Sequence, residues 1–122
     1  MLALALVLNA RGETRWTAPA TAAETKPPFP AEPKIISIGR VLYEDRCSDC
    51  HGKNGKGNGP GGSDLEKSPT NFTDGKSLKQ TDGALFWKIT EGHRPMPAYK
   101  KKLSDEQRWQ LVHFLRTFGE KN

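Results

Sequence analysis

The 122-residue sequence predicts an all-α fold, and three observations lead to that prediction. Three segments after residue 34 repeat apolar residues at helical spacing and carry helix-capping residues at their ends. No segment alternates like a β-strand, and no hairpin turn joins two such segments. Only 34% of the residues are hydrophobic, which is little for a small domain, so we expect an apolar group from outside the sequence to complete the core.

Residues 1–34 are predicted to precede the folded domain, which spans residues 35–122. The apolar run LALALVL at positions 2–8 is too short for a bilayer, which needs about 20 residues, and it matches the apolar part of an export signal. We therefore interpret residues 1–10 as the remnant of a signal peptide or a membrane anchor. Residues 11–34 hold five of the nine prolines without an apolar period, which predicts a flexible tether with Trp16 and Phe29 loosely held.

The first predicted helix has Ser37 as its N-cap and runs to Cys47. Gly39 lies inside this helix, where glycine costs about 1 kcal/mol relative to alanine, so a second element is expected to approach it closely. The next segment, residues 52–62, holds six of the twelve glycines and is predicted to be a loop. Its glycine spacing matches no phosphate-binding motif, and no strand precedes it.

Two more helices are predicted from their caps. One begins at the N-cap Thr81 and ends at Gly92. The other begins at Ser104, which forms a capping-box pattern with Gln107, and ends at Gly119. The inward-facing residues are predicted to be Leu85, Phe86 and Ile89 on the first of these helices, and Leu111, Val112, Phe114, Leu115 and Phe118 on the second.

The segment CSDCH contains both cysteines, Cys47 and Cys50, followed by His51. A zinc site needs four ligands, and neither of the other two histidines lies at a zinc-binding spacing. A thioredoxin-like redox site needs a βαβ unit, and a plain disulfide leaves His51 unexplained. The fourth interpretation, covalent attachment of a c-type haem through Cys-x-x-Cys-His, accounts for all three side chains.

Met96 is the candidate for the second axial ligand of a haem iron. Iron that only transfers electrons commonly has a Met or His ligand opposite the first histidine. Met96 lies in a loop between two prolines and not on the apolar helix face expected of a core methionine. His93 is the rival ligand, although a surface or propionate-contacting role is favoured for it, and His113 is predicted to lie on a helix surface.

Residues 35–119 resemble the class I cytochrome c domain, in particular the small bacterial mono-haem c-type cytochromes. The motifs that carry the resemblance are CSDCHGKNGKGNGP, SPTNF, RPMPAY and LSDEQRWQLVHFLRTF, in that order. Together they cover nearly all of the chain after residue 34. The resemblance implies a cytochrome c fold of three to four helices wrapped around one covalently bound haem c, with the first and last helices crossing at Gly39 and Tyr43 packed there.

The resemblance also implies roles for individual residues. Cys47 and Cys50 would bond to the haem, and His51 and Met96 would bind its iron. The carbonyl of Pro60 would accept a hydrogen bond from Nδ1 of His51 and so fix the ring. Trp87 or Arg94 is similar in position to residues that contact the haem propionates.

The implied function is one-electron transfer between respiratory or dehydrogenase partners, by a carrier that is not itself an enzyme. Two alternatives stay open. The chain could be the haem subunit of a larger oxidoreductase complex, or a haem enzyme or gas sensor from which Met96 dissociates. In each case the domain is expected in the periplasm or at the outer face of the cytoplasmic membrane.

The net charge of +5, from 19 basic and 14 acidic residues, suits an acidic redox protein or a membrane surface as partner. No nucleic-acid-binding motif is present, so nucleic acid is not expected as a partner. Lys53, Lys56 and the run Lys100–Lys102 are candidates for steering an acidic partner. The domain is expected to be monomeric.

Overall fold

The computed structural model describes residues 16–120, so the interpretation of residues 1–10 as a signal or anchor lies outside the described residues. This part of the chain forms five α-helices and two 3-10 turns, at Pro60–Gly62 and Ser77–Lys79. The helices are α1 (Ala20–Ala23), α2 (Pro33–Arg46), α3 (Ser48–His51), α4 (Asp82–Glu91) and α5 (Asp105–Glu120). Residues 16–120 contain no β-strand, only an isolated bridge between His93 and Met96, and the all-α prediction is confirmed.

Helix α2 begins earlier than the sequence predicts. Pro33 occupies the first turn, where its missing N–H is not needed and its fixed φ suits a helix. The amide of Ile36 already donates to the carbonyl of Glu32 at 3.0 Å. The prediction that Ser37 caps this helix is therefore wrong, because the proline supplies a start one turn upstream.

Helices α2 and α5 pack directly against each other at Gly39. A Cβ atom at Gly39 would lie 2.1 Å from the carbonyl oxygen of Gln110 and 2.8 Å from Cβ of Phe114, so only glycine fits. One turn further along α2, the buried ring of Tyr43 packs against Phe114 and Phe118, with centroid distances of 5.2 and 5.3 Å. The predicted contact between the first and last helices at Gly39 is confirmed.

Helix α4 has both predicted ends. The hydroxyl of Thr81 accepts a hydrogen bond from the amide of Ala84 at 3.1 Å. Gly92 follows the last turn with φ +67°, and its amide donates to the carbonyl of Lys88 at 2.9 Å. The left-handed backbone at this position favours glycine.

Helix α5 has the predicted start but not the predicted end. The amide of Ser104 donates to Oε1 of Gln107 at 2.9 Å, and the amide of Gln107 donates to Oγ of Ser104 at 3.1 Å. This reciprocal pair is the predicted capping box. Gly119 does not end the helix, which includes Glu120, because no left-handed residue interrupts the backbone there.

The core lies between α2, α4 and α5, and the predicted apolar stripe of α5 is buried in it. Phe86 is half-buried and stacks on Trp109 of α5, with ring centroids 4.1 Å apart. The buried residues that form the hydrophobic cluster are Tyr43, Leu85, Ile89, Tyr99, Leu103, Trp109, Leu111, Val112, Phe114, Leu115 and Phe118.

Residues 16–32, here called the strap, lie against α4 and α5. The side chain of Thr81 donates to the carbonyl of Ala23 at 2.6 Å. A Cβ atom at Gly83 would lie 2.2 Å from the carbonyl oxygen of Ala22, so the strap passes close to the first turn of α4. The domain boundary at residue 35 stays a prediction, but these contacts place described residues before it on the helical core.

The strap is also anchored at Phe29. Nε2 of His113 donates to the carbonyl oxygen of Phe29 at 2.9 Å, and the Phe29 side chain packs against the core. His113 is only 6% exposed. The predictions that Phe29 is loosely held and that His113 lies on a helix surface are both wrong, because each residue covers the other.

Candidate functional site

A cleft of about 320 Å³ brings together five of the seven predicted site residues. Cys47, Cys50 and His51 line it from the junction of α2 and α3, and Arg94 and Met96 line it from the loop after α4. A volume of this size is within the range of small-molecule and cofactor sites. The cleft is therefore the candidate functional site.

The junction between α2 and α3 presents the three residues of the CSDCH motif together. Cys47 separates the two helices with φ −120° and ψ −33°, and its carbonyl accepts a hydrogen bond from the amide of His51 at 2.9 Å. Gly52 then ends α3 with φ +86°. Both cysteines are half-buried, and neither is in a disulfide. The arrangement leaves two sulfur atoms and one imidazole on a single turn at the cleft.

The thiol of Cys47 is not poised for redox exchange. Burial raises its pKa to about 12, with the neighbouring Cys50 and Asp45 adding to the effect and Arg46 opposing it. Disulfide oxidoreductases lower the pKa of the attacking thiol instead. This environment disfavours the thioredoxin-like interpretation.

A zinc site is disfavoured on separate grounds. Within residues 16–120, no three His, Cys, Asp or Glu side chains form a group that could hold a metal ion. A structural zinc site takes four such ligands.

His51 is held as a neutral imidazole. Nδ1 donates to the carbonyl oxygen of Thr70 at 3.1 Å, and the ring stacks on Phe72 with centroids 4.8 Å apart. Burial lowers the pKa of His51, and the hydrogen bond to Thr70 acts in the opposite direction. Because the proton is on Nδ1, Nε2 carries the free lone pair and is the atom of this ring that can bind a metal.

The prediction that Pro60 fixes the His51 ring is wrong. Pro60 starts a 3-10 turn, and its carbonyl accepts hydrogen bonds from the amide and the hydroxyl of Ser63. Pro60 lies in a separate shallow groove with Glu44 and Lys53. The carbonyl that holds the ring belongs to Thr70 in the SPTNF segment, and a backbone acceptor carries no sequence signal of its own.

Met96 is the last residue of a turn that two backbone hydrogen bonds between His93 and Met96 hold together. The amide of His93 donates to the carbonyl of Met96 at 3.0 Å, and the amide of Met96 donates to the carbonyl of His93 at 2.9 Å. Met96 is half-buried and His93 is exposed, and both line the cleft. Trp16 of the strap also lines the cleft and stacks on His93, with ring centroids 5.1 Å apart, a contact that the sequence analysis missed.

The structure brings Arg94 to the cleft, whereas Trp87 is half-buried on α4 and does not line it. The candidate role of Trp87 at the cofactor is therefore not supported, because its position on α4 does not face the cleft. Arg46 and Lys67 are two further exposed cations at the cleft that the sequence analysis did not single out.

Tyr99, from the RPMPAY motif, links the cleft to α2. Its hydroxyl donates to the carbonyl of Arg46 at 3.1 Å, and the side chain is 7% exposed. Burial raises the pKa of this phenol. The contact holds the end of α2, and hence Cys47, beside the loop that carries Met96.

Comparison with known proteins identifies similar chains. A family profile described as cytochrome C oxidase, cbb3-type, subunit III matches residues 35–115. The cbb3-type cytochrome c oxidase subunit FixP of Rhizobium meliloti (strain 1021) is 30% identical over 92 residues. The same subunit of Azorhizobium caulinodans is 33% identical over 92 residues. These segments make up 74% of this chain but only 30% and 29% of the two relatives.

A solved structure is also similar. A chain of the reducing HAO-like protein complex of Kuenenia stuttgartiensis superposes with a TM-score of 0.67 and 30% sequence identity. The match covers 87% of this chain and 52% of that one. No helix in the described part of the chain combines the length and the apolar character needed to cross a membrane.

Proposed function

Because the chain belongs to the family described as cytochrome c oxidase, cbb3-type, subunit III, we propose that it transfers single electrons through a haem c as a subunit of a larger oxidoreductase complex. Its all-α fold is that of a cytochrome c, and the family carries a covalently bound haem c. The observation that carries the proposal is the meeting of Cys47, Cys50, His51 and Met96 at one cleft.

The residues at the cleft fit this cofactor. The sulfur atoms of Cys47 and Cys50 would form the two thioether bonds, and Nε2 of His51 and the sulfur of Met96 would bind the iron. The haem supplies the one-electron chemistry, because its iron alternates between the ferric and ferrous states. Thr70 holds the His51 ring, and a haem seated against the apolar part of the cleft would be shielded from water on that side, which disfavours the more highly charged ferric state. Thioether ligation by Met96 would raise the reduction potential further.

Two observations favour a complex subunit over a carrier that diffuses between partners. The relatives are named as subunits of a cbb3-type oxidase, and the segment that matches this chain is less than a third of each. The structural neighbour is a chain of a protein complex. In this proposal the domain relays electrons within the assembly, and the reaction with substrate takes place elsewhere.

The partner and the location are part of the same proposal. Two exposed cations at the cleft, Lys67 and Arg94, suit a redox partner that is acidic at the contact face, whereas Arg46 is paired with Asp45 at 2.9 Å. The domain would lie in the periplasm or at the outer face of the cytoplasmic membrane, tethered through residues before the strap. The apolar run at residues 2–8 supports export.

Haem attachment and ligation are tested on protein produced in a host that attaches haem c. The wild type is expected to gain the mass of one haem and keep it through acid–acetone extraction, and the double variant Cys47→Ser/Cys50→Ser is expected to lose it. The ferric wild type is expected to show the sulfur-to-iron charge-transfer band, and the ferrous form is expected not to bind carbon monoxide rapidly. Met96→Ala should lose the band and bind carbon monoxide.

Leu65→Ala is the matched control, since it shortens another side chain at the cleft and should retain the band. A colourless wild type, or haem that survives extraction in the double variant, would contradict the attachment. Rapid carbon monoxide binding by the wild type would favour the sensor or enzyme alternative. Purification of the native protein alone, free of any larger assembly, would contradict the subunit role.

A further inference from the structure

The turn after α4 offers two possible iron ligands to the same cleft. His93 and Met96 stand at its two ends, joined by the pair of backbone hydrogen bonds at 3.0 and 2.9 Å, and both line the cavity. Haem iron accepts either imidazole or thioether as an axial ligand. The assignment of Met96 as the iron ligand therefore requires some feature that keeps the imidazole of His93 away from the iron.

Trp16 provides such a feature. Its ring stacks on His93 with centroids 5.1 Å apart and an interplanar angle of 20°. The ammonium group of Lys88 lies 5.3 Å from the centroid of the Trp16 ring, a cation–π contact that adds to the restraint on the indole. Trp16 is half-buried, although it lies in a segment with almost no apolar pattern. His93 is thus held by a side chain 77 positions earlier in the chain.

The position of Trp16 is set by the fold through the strap. The strap is hydrogen-bonded to α4, where Thr81 donates to Ala23, and to α5, where His113 donates to Phe29. The carbonyl of Ala22 lies so close to Gly83 that a Cβ atom would be 2.2 Å from it. Three contacts with the first turn of α4 and with α5 therefore fix the strap, whose first residue, Trp16, lines the cleft.

We propose that Trp16 is a positioning residue that holds the imidazole of His93 outside the iron coordination sphere, so that Met96 is the axial ligand. The proposal rests on the proposed function, since it presupposes a haem at the cleft. It adds a role for the strap, which selects between two ligands on one turn. Loss of the indole frees His93 to replace Met96.

The test uses the full-length, haem-loaded protein and four variants: Trp16→Ala, Trp16→Phe, His93→Gln, and Trp16→Ala with His93→Gln. The sulfur-to-iron charge-transfer band of the ferric form and the reduction potential are measured for each. Trp16→Ala is expected to lose at least half of the band intensity and to have a lower potential, because imidazole favours ferric iron more than thioether does. Trp16→Phe keeps an aromatic ring and should keep the band, as should His93→Gln.

The double variant separates restraint of His93 from a general structural role. Removing the competing imidazole should restore the full band in the Trp16→Ala background. If Trp16→Ala keeps the wild-type band and potential, the proposal is overturned. If the band is lost in the double variant as well, Trp16 protects Met96 by another route, and the proposal is again overturned.

A substitute variant and the wild-type spectrum keep the possible outcomes distinguishable. Trp16→Leu keeps apolar bulk without a stacking ring, so it replaces Trp16→Ala if that variant does not fold, with the same expected loss. A wild type that lacks the sulfur band would instead overturn the assignment of Met96 in the proposed function. That failure is distinguishable from an unchanged Trp16→Ala, which overturns only the role of Trp16.

Discussion

Gly39 illustrates, at the scale of single residues, how an absent side chain permits the main helix–helix contact. The carbonyl of Gln110 occupies the space that a Cβ atom would need, at 2.1 Å. A backbone group on a buried helix cannot swing away as a flexible side chain can. The helix-propensity cost of glycine is therefore offset by the close packing of α2 on α5.

Gly39→Ala is expected to lower the free energy of unfolding by about 1–3 kcal/mol, as overpacking in a core does, despite the better helix propensity of alanine. Gly119→Ala is the matched control, because Gly119 is exposed in α5. A Cβ atom added there would lie 3.3 Å from Cδ1 of the flexible Leu78 side chain. Denaturant unfolding of the haem-loaded proteins measures both. A Gly39→Ala protein as stable as the control would contradict the packing described here.

Tyr43 is a second residue whose surroundings matter more than its type. Its side chain is 1% exposed, and its hydroxyl donates to the carbonyl of Gly52 at 2.6 Å. Burial, more than the nearby Cys47, raises the pKa of this phenol well above its usual range. The hydrogen bond holds the end of α3, and so helps to position His51.

Tyr43 is expected to make stability depend on alkaline pH. The unfolded phenol ionises near pH 10, whereas the folded phenol stays protonated, so the stabilisation is complete below about pH 10 and is lost as pH rises further. Tyr43→Phe should cost about 1 kcal/mol at neutral pH through the lost hydrogen bond. The Tyr43→Phe protein should also lose less of its free energy of unfolding than the wild type as the pH rises above about 10. Urea unfolding across this range measures both effects, and equal slopes for the two proteins would contradict the pKa shift.

At the scale of secondary-structure elements, the first turn of α4 connects that helix to the strap. Thr81 caps the helix through the amide of Ala84 and also donates to the strap at Ala23. Gly83 leaves room for the carbonyls of Ala22 and Thr25, which would lie 2.2 and 2.6 Å from a Cβ atom. The same few residues therefore start a helix and seat the strap.

Gly83→Ala is expected to release the strap. The added methyl group clashes with two strap carbonyls, at a cost of about 1–3 kcal/mol that the strap avoids by detaching. Hydrogen–deuterium exchange should then become roughly tenfold faster at the amides of residues 23–25, since about 1.4 kcal/mol is a factor of ten. Gly119→Ala again serves as the control, and unchanged exchange in Gly83→Ala would show that the strap is not seated on α4.

At the scale of the whole molecule, the charge distribution bears on the proposed association with an acidic partner. The chain carries a net charge of +5, and Arg46, Lys67 and Arg94 stand at the cleft together with the single acidic residue Asp49. Lys53, one of the lysines singled out in the sequence, instead lines the separate groove beside Pro60. The cations at the cleft are therefore a different set from the lysines singled out in the sequence, and one of them, Arg46, is paired with Asp45 at 2.9 Å.

Lys67→Glu is expected to slow electron exchange with a small acidic redox protein several-fold at low ionic strength, because steering charges act over a Debye length of about 30 Å at 0.01 M salt. The effect should fade at about 1 M salt, where that length is about 3 Å. Lys34→Glu makes the same change in net charge at an exposed site in α2 that does not line the cleft. Stopped-flow measurement of the electron-exchange rate compares Lys67→Glu with Lys34→Glu. Equal slowing by both variants would show that net charge, not the cleft, governs association.

The features that the sequence alone determined are those that depend on neighbours along the chain. The caps Thr81 and Ser104, the end of α4 at Gly92 and the CSDCH motif each involve residues within about one helical turn, so pattern and propensity predict them. The helical spacing of the apolar residues in α5 also predicts its buried stripe. The assignment of Met96 as an iron ligand remains a prediction from the sequence, to which the structure adds its place at the cleft.

Only the tertiary structure decided the contacts between distant parts of the chain. The acceptor for His51 is a backbone carbonyl 19 residues away, and the partner of His113 is a backbone carbonyl 84 residues away. Backbone carbonyls are alike at every residue, so no local pattern distinguishes the one that folding brings into reach. For the same reason the polar, proline-rich strap gave no local sign that Trp16 would stack on His93 at the cleft.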